Sequence, residues 1–243
     1  MDVPETVTTA LEDRPVAGAT CLEAGAGVGN TTAGLLDAGA RRVYAVTNDA
    51  DHARTVRERV GPGGPDESDR AALLEADLRD LPLADDSVDV ITAHGLFNVL
   101  PPESLDAVAS ELTRVAESDC HLVVDDYAPL PDDAEMRDLF SVEDAATELA
   151  DGRPALTFYP PAALRRLFAG YGWVFDRRRT LLDPVPWTES HVEAHAEVAR
   201  SAAERLPDEL GGPLCEEADR LVESIGEESV GEMYSVAMRL AEE

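Results

Sequence analysis

Residues 22–29 of this chain read Leu-Glu-Ala-Gly-Ala-Gly-Val-Gly. A short apolar run lies before this stretch at 19–22, and a helix-like segment follows at 31–38. A strand, a glycine-rich turn and a helix start form an adenosine-ligand site in many α/β proteins. The dinucleotide pattern G-x-G-x-x-G would need its third glycine at position 30, which is Asn30. The alternate glycines and the preceding acid, Glu23, therefore favour a different adenosine ligand.

Strand-like and helix-like segments alternate through the first half of the chain. The apolar pattern predicts strands at 19–23, 42–47, 72–76, 88–93 and 120–125, helices at 31–38, 50–60 and 102–115, and a Gly/Pro-rich loop at 61–65. This alternation predicts a parallel, doubly wound sheet. Beyond Tyr127 the pattern predicts helices at 132–151, 161–170, 188–206 and 213–225, and a strand at 173–180. The last segment, 231–240, fits either a helix face or a terminal strand.

Two further motifs carry a family resemblance. Residues 75–82 read Glu-Ala-Asp-Leu-Arg-Asp-Leu-Pro, and residues 85–91 read Asp-Asp-Ser-Val-Asp-Val-Ile. Together with the pattern E-x-G-x-G-x-G at 23–29, they resemble the class I S-adenosylmethionine (SAM)-dependent methyltransferases, of the type 11 or UbiE-like group. The resemblance is specific over residues 19–126, and it is only topological at 160–180 and at the end of the chain.

The resemblance implies an α/β fold with a Rossmann-like, seven-stranded sheet and an antiparallel terminal strand. Strand six is then expected at 173–180 and strand seven at 232–240. Residues 1–243 are expected to form a single domain. Two helical insertions, 127–157 after strand five and 187–228 between strands six and seven, are expected to cover the methyl acceptor as a lid.

The family also implies SAM as the cofactor and a set of positions that bind it. Glu23 is expected to accept hydrogen bonds from the ammonium group of SAM, and the backbone N–H groups of the glycine loop favour its carboxylate. Asp77 is expected to accept from the adenine amino group, beside the N–H of Leu78. The complete set lies at the ends of the first four strands: Glu23, Ala24, Gly25, Ala26, Gly27, Gly29, Thr47, Asn48, Asp49, Asp77, Leu78, Ala93 and His94.

The end of the second strand departs from the family pattern. Family members usually carry an acid there that accepts both ribose hydroxyls, and this chain has Thr47 instead. A threonine hydroxyl accepts a hydrogen bond without the charge assistance of a carboxylate. Asp49 is the alternative ribose ligand, with Asn48 against the adenine, although Asp49 fits equally well as the N-cap of the next helix.

His94 is the candidate catalytic residue. It follows strand four, where the family places the sulfonium and the acceptor, and an imidazole titrates near neutral pH. The alternative is that His94 contacts the cofactor and transfers no proton. Asp125, Asp126 and Tyr127 end strand five at the same edge of the sheet, so they are further candidate acceptor contacts.

His191 and His195 lie four residues apart, with Glu193 between them. On a helix they share one face, which is a spacing that metal ligands use. The arrangement differs from H-E-x-x-H, and we expect a solvated helix face and no metal site.

The net charge is extreme. The chain has 50 Asp and Glu residues against 20 basic residues, all of them arginine, for a net charge of −30. Such a surface repels itself at low ionic strength, and at molar salt the Debye length falls to about 3 Å. The composition therefore indicates adaptation to a salt-rich, halophilic cytoplasm. The longest basic run, 177–179, is too short to indicate a nucleic-acid surface.

The sequence as a whole predicts a cytoplasmic SAM-dependent methyltransferase that acts on a small molecule. No apolar stretch is long enough to span a membrane. The oligomeric state is open, and a homodimer is one possibility. Two other functions remain open at this point: a NAD-dependent oxidoreductase, and a non-catalytic regulatory or binding module with the SAM fold. The acceptor itself has no recognisable motif.

Overall fold

The computed structural model of the chain describes residues 3–60 and 70–241. Its strands are β1 (Thr20–Ala24), β2 (Arg42–Thr47), β3 (Ala71–Glu75), β4 (Val88–His94), β5 (Ala116–Tyr127), β6 (Trp173–Leu182), β7 (Pro186–Trp187), β8 (Glu228–Ser229) and β9 (Met233–Leu240). Its α-helices are α1 (Glu5–Leu11), α2 (Asn30–Asp37), α3 (Ala50–Val60), α4 (Leu105–Val115), α5 (Glu135–Asp151), α6 (Pro161–Ala169), α7 (Glu189–Ala203) and α8 (Asp208–Ile225). The predicted loop at 61–65 lies outside the described residues.

Seven strands form one sheet in the order β3-β2-β1-β4-β5-β9-β6. Strands β1 to β5 are parallel, and β9 runs antiparallel between β5 and β6. The predicted doubly wound sheet with an antiparallel terminal strand is confirmed. The chain leaves β1 toward β2 on one side and returns as β4 on the other, which opens a crevice at the carboxyl ends of these strands.

Burial explains why these segments become strands. All five residues of β1 are buried, as expected for a central strand that helices cover on both faces. On one face, Gly34 of α2 allows a close approach of α1, because a Cβ atom there would lie 2.5 Å from Val7 Cγ1. On the other face, α4 buries Val108, Leu112 and Val115 against the sheet. The helices packed on both faces of the sheet therefore hold the carboxyl ends of the strands in fixed positions.

The predicted fifth strand is too short. The sequence suggests a start at residue 120, whereas β5 begins at Ala116, directly after α4. The early part pairs Ala116 with Val88, and the register then shifts between Val88 and Val90. Asp119 takes a left-handed conformation with φ 67°, which breaks the regular alternation that the sequence pattern relies on.

The helices of the two predicted insertions pack on each other and form a cap above the carboxyl edge of the sheet. They are α5, from the segment after β5, and α7 and α8, from the segment between β6 and β9. These helices share a separate apolar cluster that includes Leu139, Phe140, Val192 and Leu221. Within residues 3–60 and 70–241, no helix is both long and apolar enough to cross a bilayer.

Candidate active site

A cleft of about 640 Å³ lies at the carboxyl ends of β1, β2, β3 and β4. Eight of the predicted cofactor residues line it: Gly25, Gly27, Thr47, Asn48, Asp49, Asp77, Leu78 and His94. The other five do not line it: Glu23, Ala24, Ala26, Gly29 and Ala93. The fold thus brings residues from four separate strand ends to one cleft, as the doubly wound topology requires.

The glycine loop has two different steric requirements. Gly25 has φ +77°, and a Cβ atom there would lie 2.8 Å from Leu96 Cδ1, so this glycine permits the packing of the loop after β4. Gly27 has φ +49°, and a Cβ atom there would have no neighbour within 4 Å. Because Gly27 lines the cleft, a side chain at this position would point into open ligand space. This observation fits a ligand that approaches the loop backbone closely.

Glu23 lies beneath the loop and is almost completely buried. Its carboxylate accepts a hydrogen bond from the hydroxyl of Thr32 in α2. Burial raises the pKa of Glu23 to about 7, and the hydrogen bond from Thr32 opposes that shift. Glu23 therefore joins β1 to α2 below the glycine turn, and it approaches the cleft from behind.

The end of β2 contains a small network around Asp49. The hydroxyl of Thr47 accepts the N–H of Asp49 at 3.1 Å. One carboxylate oxygen of Asp49, Oδ1, accepts the N–H groups of Asp51 at 2.9 Å and His52 at 2.8 Å, which caps α3. The N–H of His52 lowers the pKa of Asp49. Asp49 therefore acts as a helix cap through Oδ1 while its exposed carboxylate still lines the cleft.

Asp77 forms an ion pair that the sequence motif did not indicate. Its Oδ1 accepts Nε of Arg79 at 2.9 Å, and its Oδ2 accepts Nη2 at 2.6 Å. These hydrogen bonds lower the pKa of Asp77 to about 2. Both residues line the cleft, so Arg79 orients the carboxylate that is expected to meet the adenine.

His94 lies among three carboxylates. Its Nδ1 is 3.2 Å from Oδ2 of Asp125, and the charges of Glu23 and Asp126 act on the same ring. Burial alone would lower the pKa of His94. The three carboxylates have the larger combined effect, so the pKa of His94 is raised above its ordinary value. Burial also raises the pKa of Asp126 to about 7, against hydrogen bonds from the N–H groups of Tyr127 and other backbone donors.

A second cavity, of about 380 Å³, adjoins the cleft. The two share Gly95 and Val99, from the loop after β4, as a common wall. Apolar and aromatic side chains dominate the lining of the second cavity: Tyr127, Phe140, Phe158, Leu182, Val185 and Trp187. These residues come from the sheet edge and from both predicted insertions, so the cavity lies between the sheet and the cap.

His195 faces this second cavity, and the expected solvated helix face is wrong for it. Its Nδ1 lies 2.8 Å from Oε2 of Glu143, whose side chain is only 4% exposed. The ring also lies edge-on to Phe140, with 4.7 Å between the ring centroids. His191 is exposed, as expected, and its Nδ1 accepts the N–H of Thr188 at the start of α7. In the described ranges, no cluster of three or more His, Cys, Asp or Glu residues could hold a metal ion.

Several lining residues were absent from the sequence prediction. Val99 lies in the loop after β4, and Arg153 comes from the loop after α5. The place of Val99 shortly after a predicted strand could have indicated it. No local pattern could have indicated Arg153, or Glu143 as the partner of His195, because only long-range packing of the cap positions them.

Comparisons with known proteins agree with this geometry. Residues 21–119 match a protein-family model described as a methyltransferase domain. A demethylmenaquinone methyltransferase from Clavibacter sepedonicus is 35% identical over 127 residues, which are 51% of this chain and 48% of that protein. The chain therefore spans about half the length of this curated relative.

Solved structures resemble the whole chain. The YcgJ protein of Bacillus subtilis has a TM-score of 0.65 at 14% identity, over 98% of this chain and 99% of that one. Geranyl diphosphate C-methyltransferase of Streptomyces coelicolor A3(2), solved with S-adenosyl-L-homocysteine, has a TM-score of 0.61 at 15% identity, over 96% and 76%. At these identities the likeness shows the fold. The segment matched by the family model carries the glycine loop and the strand ends of the cleft, so the part of this chain that builds the cleft is similar to the methyltransferase domain.

Proposed function

We propose that this protein transfers the methyl group of SAM to a small, mainly apolar acceptor. The observation that carries the proposal is the pair of adjoining cavities with a common wall at Gly95 and Val99. One cavity contains the residues of a nucleoside-type cofactor site, and the other is apolar and lies beneath the cap. Two similar proteins are named for small-molecule acceptors, demethylmenaquinone and geranyl diphosphate, which supports the same class of acceptor here.

The residues of the larger cleft fit SAM in shape and chemistry. Gly27 leaves open space beside the loop, and the start of α2 presents N–H groups that favour a carboxylate. Asp49 offers a carboxylate to the ribose, while Asp77 and Leu78 offer an acceptor and a backbone N–H to the adenine. When bound, SAM supplies an electrophilic methyl group, and alignment of the acceptor supplies much of the acceleration.

For His94, the surroundings favour a cofactor contact over the role of a base. A base must be neutral, and the raised pKa of His94 moves that neutral form to higher pH. As a cation held by Asp125, the imidazole can donate a hydrogen bond to a carboxylate or hydroxyl of the cofactor. The base role remains testable, because it predicts activity that rises with pH through the raised pKa.

The cap is proposed to act as the acceptor lid. Tyr127 and Phe140 from the first insertion and Trp187 and His195 from the second line the smaller cavity. Covering the acceptor with these side chains would exclude water from the transfer. A cytoplasmic location, the absence of a nucleic-acid partner and a homodimer remain predictions.

Isothermal titration calorimetry in molar salt tests the cofactor. We expect SAM and S-adenosylhomocysteine to bind and NAD to give no heat. Binding of NAD without SAM would instead support the oxidoreductase alternative. A screen of small-molecule acceptors for release of S-adenosylhomocysteine then tests transfer. A protein that binds SAM but releases no S-adenosylhomocysteine with any acceptor would fit the non-catalytic module.

A further inference from the structure

We propose that the smaller cavity binds a neutral aromatic or apolar acceptor that carries a hydroxyl group, and that His195, held by Glu143, accepts the proton of that hydroxyl. This inference rests on the proposed methyl transfer and deepens it, because it names the class of acceptor and a second histidine. The sequence and the comparisons do not assign either role.

The size and lining of the cavity favour a small apolar ligand. At about 380 Å³, it falls within the range of small-molecule sites. Aromatic rings contribute much of its surface, and they are already in contact: Tyr127 and Trp187 have ring centroids 5.3 Å apart, and Phe140 and Phe158 have centroids 5.1 Å apart. Fixed rings of this kind present large apolar contact areas with little side-chain entropy to lose.

The charges around the cavity favour a neutral ligand. Among the described residues, no arginine, aspartate or glutamate lines the smaller cavity, whereas Arg79 and Arg153 line the larger cleft. The chain has a net charge of −30, so an anionic acceptor would need a basic partner here to offset its repulsion and desolvation. The polar side chains at the lining that can meet such a ligand include His191, His195 and Tyr127.

Glu143 and His195 have the arrangement that the proposed proton transfer requires. Glu143 comes from α5 and is buried in the cap, and the structure gives its carboxylate His195 as a partner at 2.8 Å. A carboxylate at Nδ1 assigns the proton of the neutral ring to that nitrogen, which leaves Nε2 as the acceptor. A buried carboxylate also stabilises the imidazolium that forms when Nε2 takes a proton. The pair therefore resembles the base-and-orienter arrangement of known acyl-transfer enzymes in its chemistry, without their nucleophile.

The proposed step is the transfer of a methyl group to the acceptor hydroxyl. The acceptor oxygen forms a bond to the methyl carbon, and the methyl–sulfur bond breaks with its electron pair remaining on sulfur. The hydroxyl proton moves to Nε2 of His195. The His195 side chain is 25% exposed, so the imidazolium can then return this proton to solvent.

A pair of aromatic probes tests the site without knowledge of the natural acceptor. The two probes are p-nitrophenol and 4-nitroanisole, its methyl ether, which has no hydroxyl group to donate a hydrogen bond. Each is titrated into the full chain in molar salt with S-adenosylhomocysteine present. Trp187 lines the cavity, so quenching of its fluorescence reports binding of either probe. The phenolate absorbance band of p-nitrophenol, measured where the free phenol is mostly protonated, reports proton transfer to the protein.

We expect both probes to bind, with 4-nitroanisole about three- to tenfold weaker because it lacks one hydrogen bond. Bound p-nitrophenol should show an increased phenolate band. Glu143→Gln and His195→Gln should both remove most of that increase and the preference for the phenol. Each substitution keeps a hydrogen bond between the two side chains, which limits its effect on folding. Glu148→Gln removes the same charge from an exposed position on α5, and it should leave both readouts unchanged.

If the probes bind, either of two results would overturn the inference. One is equal binding of the two probes with no phenolate increase in the wild-type protein, and the other is a phenolate increase that survives in both Gln variants. If S-adenosylhomocysteine binds and neither probe does, the acceptor site is refuted while the proposed methyl transfer stands. If the probes behave as expected but no SAM binds, the proposed methyl transfer fails and the base-bearing cavity remains.

Discussion

Nδ1 of His94 lies 3.2 Å from Oδ2 of Asp125, and the two residues are register partners at the carboxyl ends of β4 and β5. The parallel pairing of the strands therefore fixes the distance between the two Cα atoms. Because the Asp125 side chain is only 5% exposed, its charge reaches the imidazole with little solvent screening. This contact connects the wall of the larger cleft to the centre of the sheet.

The first prediction concerns the pH dependence of stability through His94. The folded state raises the pKa of His94 above its ordinary value of 6.5, so it binds the proton more tightly than the unfolded chain does. Glu23 and Asp126, whose pKa values are raised to about 7, lose their charges as the pH falls, so the stabilisation that remains below about pH 6.5 comes from Asp125, and it is lost as the pH rises through the raised pKa of His94. We expect His94→Gln to lower the free energy of unfolding more at about pH 5.5 than at about pH 9.

Urea denaturation at the two pH values, in molar salt, measures this difference. His52→Gln is the matched control, because His52 is an exposed histidine of α3 that interacts with Asp49 and not with the carboxylates around His94. It should show a similar small effect at both pH values. A loss of stability in His94→Gln that is the same at both pH values would contradict a raised pKa.

The sheet could be predicted from the sequence because its signals are local. Apolar runs between turn residues located β2 at its observed bounds, 42–47, and the other core strands to within a few residues. The start of α8 was less accurate, since the apolar spacing predicted a helix start at 213. The helix begins at Asp208, and Gly211 serves packing, because a Cβ atom there would lie 2.3 Å from the carbonyl oxygen of Ala203.

The two sites differ in how far the sequence could predict them. Motif residues such as Gly27, Asp49 and Asp77 line the cleft because each ends a strand or follows one. The contact between Glu143 and His195 joins α5 to α7 through two residues that are 52 positions apart in the chain. Only the three-dimensional packing of the cap specifies it, and a histidine at helical spacing alone favoured a solvated face.

The second prediction concerns the glycine loop. Gly27→Val should abolish SAM binding, because the branched side chain would occupy the open space that a ligand needs. The substitution also strains a backbone at φ +49°. Gly18→Val is the matched control, since Gly18 has φ +78°, a Cβ atom there would have no neighbour within 4 Å, and the residue lies outside the cleft. Calorimetry should show normal SAM affinity for Gly18→Val, and near-normal affinity for Gly27→Val would refute the location of the cofactor.

The third prediction separates the two roles of Asp49. An asparagine at this position retains a side-chain oxygen that can cap α3 and loses the carboxylate charge. We expect Asp49→Asn to weaken SAM binding about tenfold, as for one hydrogen bond to a charged group, with little change in melting temperature. Asp49→Ala should weaken binding similarly and also lower the melting temperature through the lost cap.

Thr47→Val provides the opposite comparison for ribose binding. If Thr47 and not Asp49 contacts the ribose, Thr47→Val should lower SAM affinity while Asp49→Asn leaves it unchanged. Calorimetry for affinity and thermal unfolding for stability, both measured on each variant, distinguish the two assignments.

The fourth prediction concerns salt. The 20 arginines can neutralise at most 20 of the 50 acidic charges, so an excess of about 30 negative charges remains on the chain and repels itself. Salt weakens exposed ion pairs such as Arg200–Asp219 as well, but each of these contributes about 0–1 kcal/mol, and the excess negative charges act over the whole surface. The Debye length shortens from about 10 Å at 0.1 M to about 3 Å at 1 M, so relief of the repulsion should dominate. We therefore expect the melting temperature to rise steeply between 0.1 and 2 M NaCl, and to rise much less in sucrose of equal osmolality, which cannot screen charge. A melting temperature that is independent of NaCl, or that responds equally to sucrose, would show that charge repulsion does not limit the stability of this fold.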